Sequence, residues 1–145
     1  MLTVINPANG SVIAELPQDN HASIVAKYKA ARTAQPGWAN SPISARLSAI
    51  RRFRQAVVYE QERLAAVLTS EVGKPIKQAR NEISGLLARL DFFIDQAEPT
   101  LAQREVFNEG RMREVIEHVP LGVIANISAW NYPYFVGANV FVPAL

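Results

Sequence analysis

The chain contains no cysteine, so its own residues can form no disulfide, no thiolate metal site and no cysteine nucleophile. Histidine is nearly as scarce. His21 and His118 lie far apart in sequence, no metal site is expected, and both read as structural or exposed. Charge disappears from His118 to Leu145, where no Asp, Glu, Lys or Arg occurs. That stretch must be tested as a membrane span, which needs about 20 apolar residues. It fails, because Pro120, Pro133 and Pro143 break a helix and Asn126, Asn131 and Asn139 would lie uncompensated in hydrocarbon. The opening MLTVINPANG has neither a basic n-region nor a long apolar h-region, so no secretory signal is expected and the cytoplasm is the expected location. Internal repeats and low-complexity tracts are absent as well.

What remains has the make-up of one globular domain: 145 residues, 49% hydrophobic and 19% charged. A compact fold of this length buries roughly 68–70% of its extended-chain surface, and needs neither disulfide nor metal. The net charge of +2 is unevenly spread, with an excess of basic residues up to Arg54 and of acidic residues beyond it. Arg46, Arg51, Arg52 and Arg54 form a basic cluster, but apart from Phe53 no aromatic residue interleaves with it to stack bases and no nucleic-acid motif is present. It reads as the solvated face of a helix rather than a nucleic-acid surface.

Leu2 and Val4, the turn chemistry of Asn6-Pro7-Ala8-Asn9-Gly10, and Val12 to Leu16 predict a β-hairpin. Asp19 or Asn20 caps a helix with Ile24, Tyr28, Ala31 and Ala34 on one stripe, expected to stop at Pro36-Gly37 before Trp38, a core anchor. Ser41-Pro42 reads as the cap and first residue of a second helix bearing Ile43, Leu47, Ile50 and Val57. Glu60-Gln61-Glu62 is a potential interruption in that helix, and Gly73 is its C-terminal stop. Pro75 opens a third helix, with apolar spacing from Ile76 through Ala97 and an expected end at Pro99. The pattern then becomes strand-like: Glu105 to Phe107 and Met112 to Val119 read as a hairpin around Asn108-Glu109-Gly110, with one face at least half polar. Gly122 to Ile127 has the continuous apolar character of a strand buried on both faces of a parallel sheet, although this chain offers it no parallel partner.

A polar turn, Ala129-Trp130-Asn131-Tyr132-Pro133, follows that strand, and open α/β sheets place ligand groups at such strand ends. The side-chain amide of Asn131 can donate two hydrogen bonds, which suits an oxygen that gains negative charge. Equally, asparagine closes turns well.

Several patches together resemble the aldehyde dehydrogenase superfamily. They are Ile5-Asn6-Pro7 with Gly10, the Ala-rich helix ending at Trp38, Arg46, the segment Glu71-Val72-Gly73-Lys74-Pro75 with Ala79 and Glu82, Pro120-Leu121-Gly122-Val123, Ile127, Trp130-Asn131-Tyr132-Pro133 and Pro143-Ala144-Leu145. They occur in the family's order over essentially the whole chain, and match the N-terminal portion of the family only. Ala129 departs from the proline that many members carry before the tryptophan.

The resemblance implies an α/β fold class: the helix-rich N-terminal part of an aldehyde dehydrogenase-like fold, with β-hairpins and the first strand of an incomplete Rossmann-like sheet. It divides the chain into residues 1–103, the helical part of a cofactor-binding domain with an N-terminal hairpin; 104–120, an exposed or oligomerisation-type hairpin; and 121–145, the first strand and the start of a helix of the dinucleotide-binding sheet. The implied activity is oxidation of an aldehyde to a carboxylate with NAD or NADP. A cysteine thiolate attacks the aldehyde, an asparagine amide holds the oxyanion, hydride passes to nicotinamide, and a glutamate-activated water hydrolyses the thioester.

Asn131 matches that asparagine. Ser128, Ala129 and Trp130 match the strand end bordering the nicotinamide ribose, while Tyr132 and Val136 match the aldehyde tunnel. The nucleophile and general base have no counterpart here, so the chain alone is expected to be inactive and to bind no cofactor tightly. A homo-oligomer or a complementing C-terminal chain is the expected partner, with neither nucleic acid nor membrane. The competing expectation is a non-catalytic remnant or helical partner-binding module whose unfinished sheet edge is covered by association.

Overall fold

The computed structural model describes residues 1–145. The elements run β1 (Leu2–Ile5), β2 (Val12–Leu16), α1 (His21–Ala39), α2 (Ile43–Val72), α3 (Ile76–Leu101), β3 (Arg104–Glu109), β4 (Met112–Ile116) and α4 (Pro133–Ala144). The strands form two separate antiparallel hairpins, β1-β2 and β3-β4.

Asparagine side chains shape the first hairpin's turn. Asn6 Oδ1 accepts from the Ala8 N–H and Asn9 Oδ1 from the Ser11 N–H, each at 2.9 Å. Leu2 faces Leu16 and Val4 faces Ala14, with a bulge between Val4 and Ile5. Asn20 caps α1 through a reciprocal box: its side chain accepts from the Ser23 N–H, and the Ser23 hydroxyl accepts from the Asn20 N–H. Helix α2 ends at Gly73, whose φ of 76° is left-handed. A Cβ there would meet the Pro7 ring at 2.9 Å, so the first hairpin lies directly on the turn between α2 and α3.

The core is a layer of three helices. Ile50, Val57, Ala65 and Leu68 of α2 meet Ala79, Ile83, Leu86, Leu90 and Ile94 of α3, and α4 adds Ala138 and Val142. Ile83 and Leu90 are the largest fully buried side chains. Arg54 ties α2 to α3 through a two-pronged ion pair with Asp91, its Nη2 reaching Oδ2 at 2.8 Å.

Several boundaries differ from the expectations. Helix α1 continues through Pro36 and Gly37 to Ala39, and α3 passes Pro99 to reach Leu101. A proline in the last turn of a helix loses its own N–H bond and crowds the carbonyl four residues earlier, and here the last turns of α1 and α3 accommodate both. Nor do Glu60, Gln61 and Glu62 interrupt α2, because the stripe of Val57, Ala65 and Leu68 continues across them; Glu60 pairs with Arg63 and Glu62 with Arg80 of α3. The Ser41 hydroxyl donates to the Gly37 carbonyl instead of capping α2, and Pro42 occupies the cap position itself. Trp38 is half-buried, with its indole N–H donating to the Leu145 carbonyl at 2.5 Å. Strand β4 stops at Ile116, short of His118 and Val119.

The largest difference concerns Gly122 to Ile127, which forms neither strand nor helix. A strand exists only through its ladder, and no backbone group of residues 117–131 pairs with another backbone group. Ile127 is 98% exposed and Leu121 93%, although both are apolar. Openness extends through the molecule. Helix α1 buries no residue and every residue of β3 and β4 is exposed. The accessible surface is 10363 Å² at 16.0 kDa, where a compact monomer of that mass shows about 7,400 Å². Burial is therefore about 55% of the extended-chain surface instead of the roughly 70% expected at this length.

Candidate functional site

The turn between α3 and α4 in sequence returns to the start of α3 in space. There Lys74 and Glu82, with side chains 6% and 0% exposed, form an ion pair with Lys74 Nζ at 2.5 Å from Glu82 Oε2. Glu82 is placed by helix geometry, since it shares the inward side of α3 with Ala79, Ile83 and Leu86. Lys74 follows the left-handed Gly73, which turns the chain so that the lysine side chain enters the same interior.

Each partner also reaches the opposite turn. Lys74 Nζ donates to the Asn131 carbonyl at 2.6 Å and lies 3.6 Å from the centroid of the Tyr132 ring, within cation–π range. The other oxygen of Glu82 accepts from the backbone N–H of Tyr134 at 3.0 Å and of Phe135 at 3.3 Å. Helix α4 has no side-chain cap of its own, so a carboxylate from α3 satisfies its first N–H groups and lies at the positive end of its dipole. Beside this cluster, burial pushes the Tyr134 phenol above its ordinary 10.0; Glu71 and Glu82 push the same way and Arg63 opposes them.

A second latch holds the approach to the turn. Asn126 Nδ2 donates to the Gly137 carbonyl at 3.2 Å, and the Ser128 hydroxyl donates to Asn126 Oδ1 at 2.9 Å. A Cβ at Gly137 would stand 3.3 Å from Ser128 Oγ, so glycine lets this segment lie close against α4. Between the two latches Ala129, Trp130 and Asn131 are exposed, Trp130 at 78%. The backbone of Asn131 is held through its carbonyl, whereas its side-chain amide makes no hydrogen bond within the chain.

The sequence pattern of the aldehyde dehydrogenase family matches residues 1–145. The chain belongs to that family. Among its relatives, 3,6-anhydro-α-L-galactose dehydrogenase of Streptomyces coelicolor is 35% identical over 144 residues, covering 99% of this chain and 29% of that enzyme. A putative NADP-linked succinate-semialdehyde dehydrogenase of Mycolicibacterium smegmatis is 32% identical over 138 residues, covering 94% of this chain and 27% of its own length. In three dimensions the chain superimposes on the aldehyde dehydrogenase of Brucella melitensis biovar abortus with a TM-score of 0.91 at 29% identity, covering 98% of this chain and 29% of that one. This aldehyde dehydrogenase chain thus spans about three tenths of the length of the relatives it matches. Its architecture is the helix-rich N-terminal part of the fold.

Of the residues singled out in the sequence of this family member, Asn131 and Tyr132 come together at the Lys74–Glu82 pair. Val136 lies one turn into α4, its N–H donating to the Tyr132 carbonyl at 2.9 Å. Ser128 turns toward Asn126 and α4, while Ala129 and Trp130 remain exposed. No group of three or more His, Cys, Asp or Glu side chains gathers anywhere to hold a metal, and no helix is long and apolar enough to cross a membrane. Sequence reasoning gave Lys74 and Glu82 no role of their own. The available signal was the single carboxylate on the apolar stripe of α3, where an unpaired charge could not be tolerated.

Proposed function

We propose that residues 1–145 form one wall of the catalytic centre of an NAD(P)-dependent aldehyde dehydrogenase, with Asn131 donating its side-chain amide to the oxyanion formed at the aldehyde carbonyl. The observation that carries this reading is the division of labour at Asn131: its carbonyl is held by a buried lysine, while its amide is exposed and has no partner in the chain. A donor fixed in advance stabilises developing charge without reorganising when the reaction occurs. The attacking thiolate comes from outside these residues, which contain no cysteine.

The family's cofactor, NAD or NADP, accepts the hydride when bound. Residues 128–130 fit the nicotinamide ribose through backbone groups that have no backbone partner in the chain. Ala129 and Trp130 would border it, and the Ser128 hydroxyl, already directed toward Asn126, would support their backbone rather than reach the ligand. Tyr132 and Val136 would line the aldehyde passage. The Tyr132 ring has Lys74 over one face, which leaves the remainder of the ring for substrate. The exposed hairpin β3-β4 supports assembly with further copies or with a complementing chain.

The test places residues 1–145 in the matching segment of the Streptomyces coelicolor relative and follows reduced nicotinamide with 3,6-anhydro-α-L-galactose as substrate. Asn131→Ala should lower turnover by about 10²–10³ with cofactor affinity unchanged. Turnover within threefold of the parent chimera would remove Asn131 from the chemistry. A non-catalytic partner-binding role draws support from the 10363 Å² of accessible surface. An active chimera decides against it.

A further inference from the structure

We infer that Lys74 and Glu82 are a positioning pair for the oxyanion donor: they hold the backbone of Asn131 and the first turn of α4 in register, leaving the Asn131 amide free. The inference rests on the reading of Asn131 given above, and deepens it. Neither residue touches the amide itself. Paired with each other, they act on the segment that carries it at four points: Lys74 on the Asn131 carbonyl and on the Tyr132 ring, and Glu82 on the N–H groups of Tyr134 and Phe135.

Chemistry accounts for the identity of each residue. A lysine ammonium has three N–H groups and no acceptor, and here it meets a carboxylate, a carbonyl and an aromatic face. A carboxylate has two acceptor oxygens, one directed at Lys74 and the other at the two helix N–H groups. The pair is directional as a result. Exchanging the two residues would keep their mutual attraction but turn a carboxylate toward the Asn131 carbonyl and an ammonium toward the N–H groups of α4.

Stability alone gives little reason to bury such a pair, because well-packed apolar residues of similar volume usually replace buried ion pairs at no cost or with a gain. What the apolar replacements cannot supply is the contact with Asn131, Tyr134 and Phe135. A displacement of about 1 Å in a group that positions substrate can cost about a hundredfold in rate.

The test uses the 145-residue chain and amide hydrogen exchange read by NMR. In Lys74→Met/Glu82→Leu the Tyr134 and Phe135 amides should exchange about tenfold faster or more, the scale of a lost charge-assisted hydrogen bond. The Asn131 side-chain amide signals should shift, while the urea midpoint falls less than in either single variant. The reversed pair, Lys74→Glu/Glu82→Lys, should leave both amides as fast as in the apolar variant. Parent-like protection in either folded variant overturns the inference. If the double variants do not fold, Glu82→Gln decides, since it keeps the volume and one acceptor: exchange at least threefold faster upholds the pair, and unchanged exchange overturns it. These readouts do not depend on turnover. Fast exchange in the Lys74 and Glu82 variants together with an Asn131→Ala chimera of full activity would therefore uphold the positioning and reject the oxyanion role.

Discussion

Removing one member of the Lys74–Glu82 pair should destabilise the chain far more than removing both. In Lys74→Met the Glu82 side chain, 0% exposed in the parent, loses its only cation and keeps two backbone N–H groups as partners. Leaving a buried charge without its counterion costs about 3–5 kcal/mol. Domains are stable by about 5–15 kcal/mol in total, and a core confined to three helices places this chain toward the lower end. The single variant should therefore melt roughly 6–20 °C below the parent, at about 2–4 °C per kcal/mol. Glu82→Leu should behave alike, because it leaves the Lys74 ammonium facing one carbonyl and one ring. In the double variant no charge remains buried. Its cost should fall to about 1–3 kcal/mol, that of the hydrogen bonds lost at the turn. Urea unfolding followed by circular dichroism gives all four corners of the cycle. Two single losses below about 1 kcal/mol, or losses that simply add in the double variant, would refute the burial of an interacting pair.

Three further outcomes can be checked on the same chain. Gly73→Ala should cost about 1–2 kcal/mol from its left-handed backbone alone, with more from the Pro7 ring 2.9 Å from the new Cβ; a parent-like urea midpoint would remove the hairpin contact. The hydrogen bonds from Arg54, and then its charge, hold the Asp91 carboxyl below its ordinary 3.8. A lowered acid pKa contributes stability above the unfolded value and loses it as pH falls through the folded value. The difference between the parent and Asp91→Asn should accordingly be present at neutral pH, small because the pair is part-exposed, and vanish in acid. A difference that persists unchanged at pH about 2 would deny the link. Finally, the isolated chain should yield no reduced nicotinamide from aldehydes with NAD or NADP, as measured by absorbance, since it has no thiol; sustained turnover would require a different nucleophile.

Local chemistry was readable wherever one residue type does one job. Asn6 and Asn9 in the turn, Asn20 at the cap, Gly73 at the stop and the long stripe of α3 all occur where the pattern puts them. Pro36, Pro99 and Glu60 to Glu62 misled because their local preferences are overridden by bonds and packing on either side. The strand expected at Gly122 to Ile127 does not form for a different reason: strand identity lies in the neighbour, and this chain provides none. At the site, Asn131 stood out in the sequence because its type and its place after an apolar run agree, and the structure leaves it exposed. Its supports were not, since Lys74 and Glu82 reach it across long stretches of sequence that no periodicity links.

Ala138 lies within α4, fully buried at 0% exposure, in the same packed cluster as Ala79 of α3, also at 0%. With only a methyl group at each of these fully buried positions, the packing leaves no exposed surface to which a longer side chain could turn. A thicker side chain at position 138 would lift the helix and disturb its N-terminal turn, where Lys74 and Glu82 hold the backbone of Asn131, Tyr134 and Phe135. Under the reading proposed above, the reach of the Asn131 amide would then be set in part by a buried methyl group that no view of the exposed turn reveals.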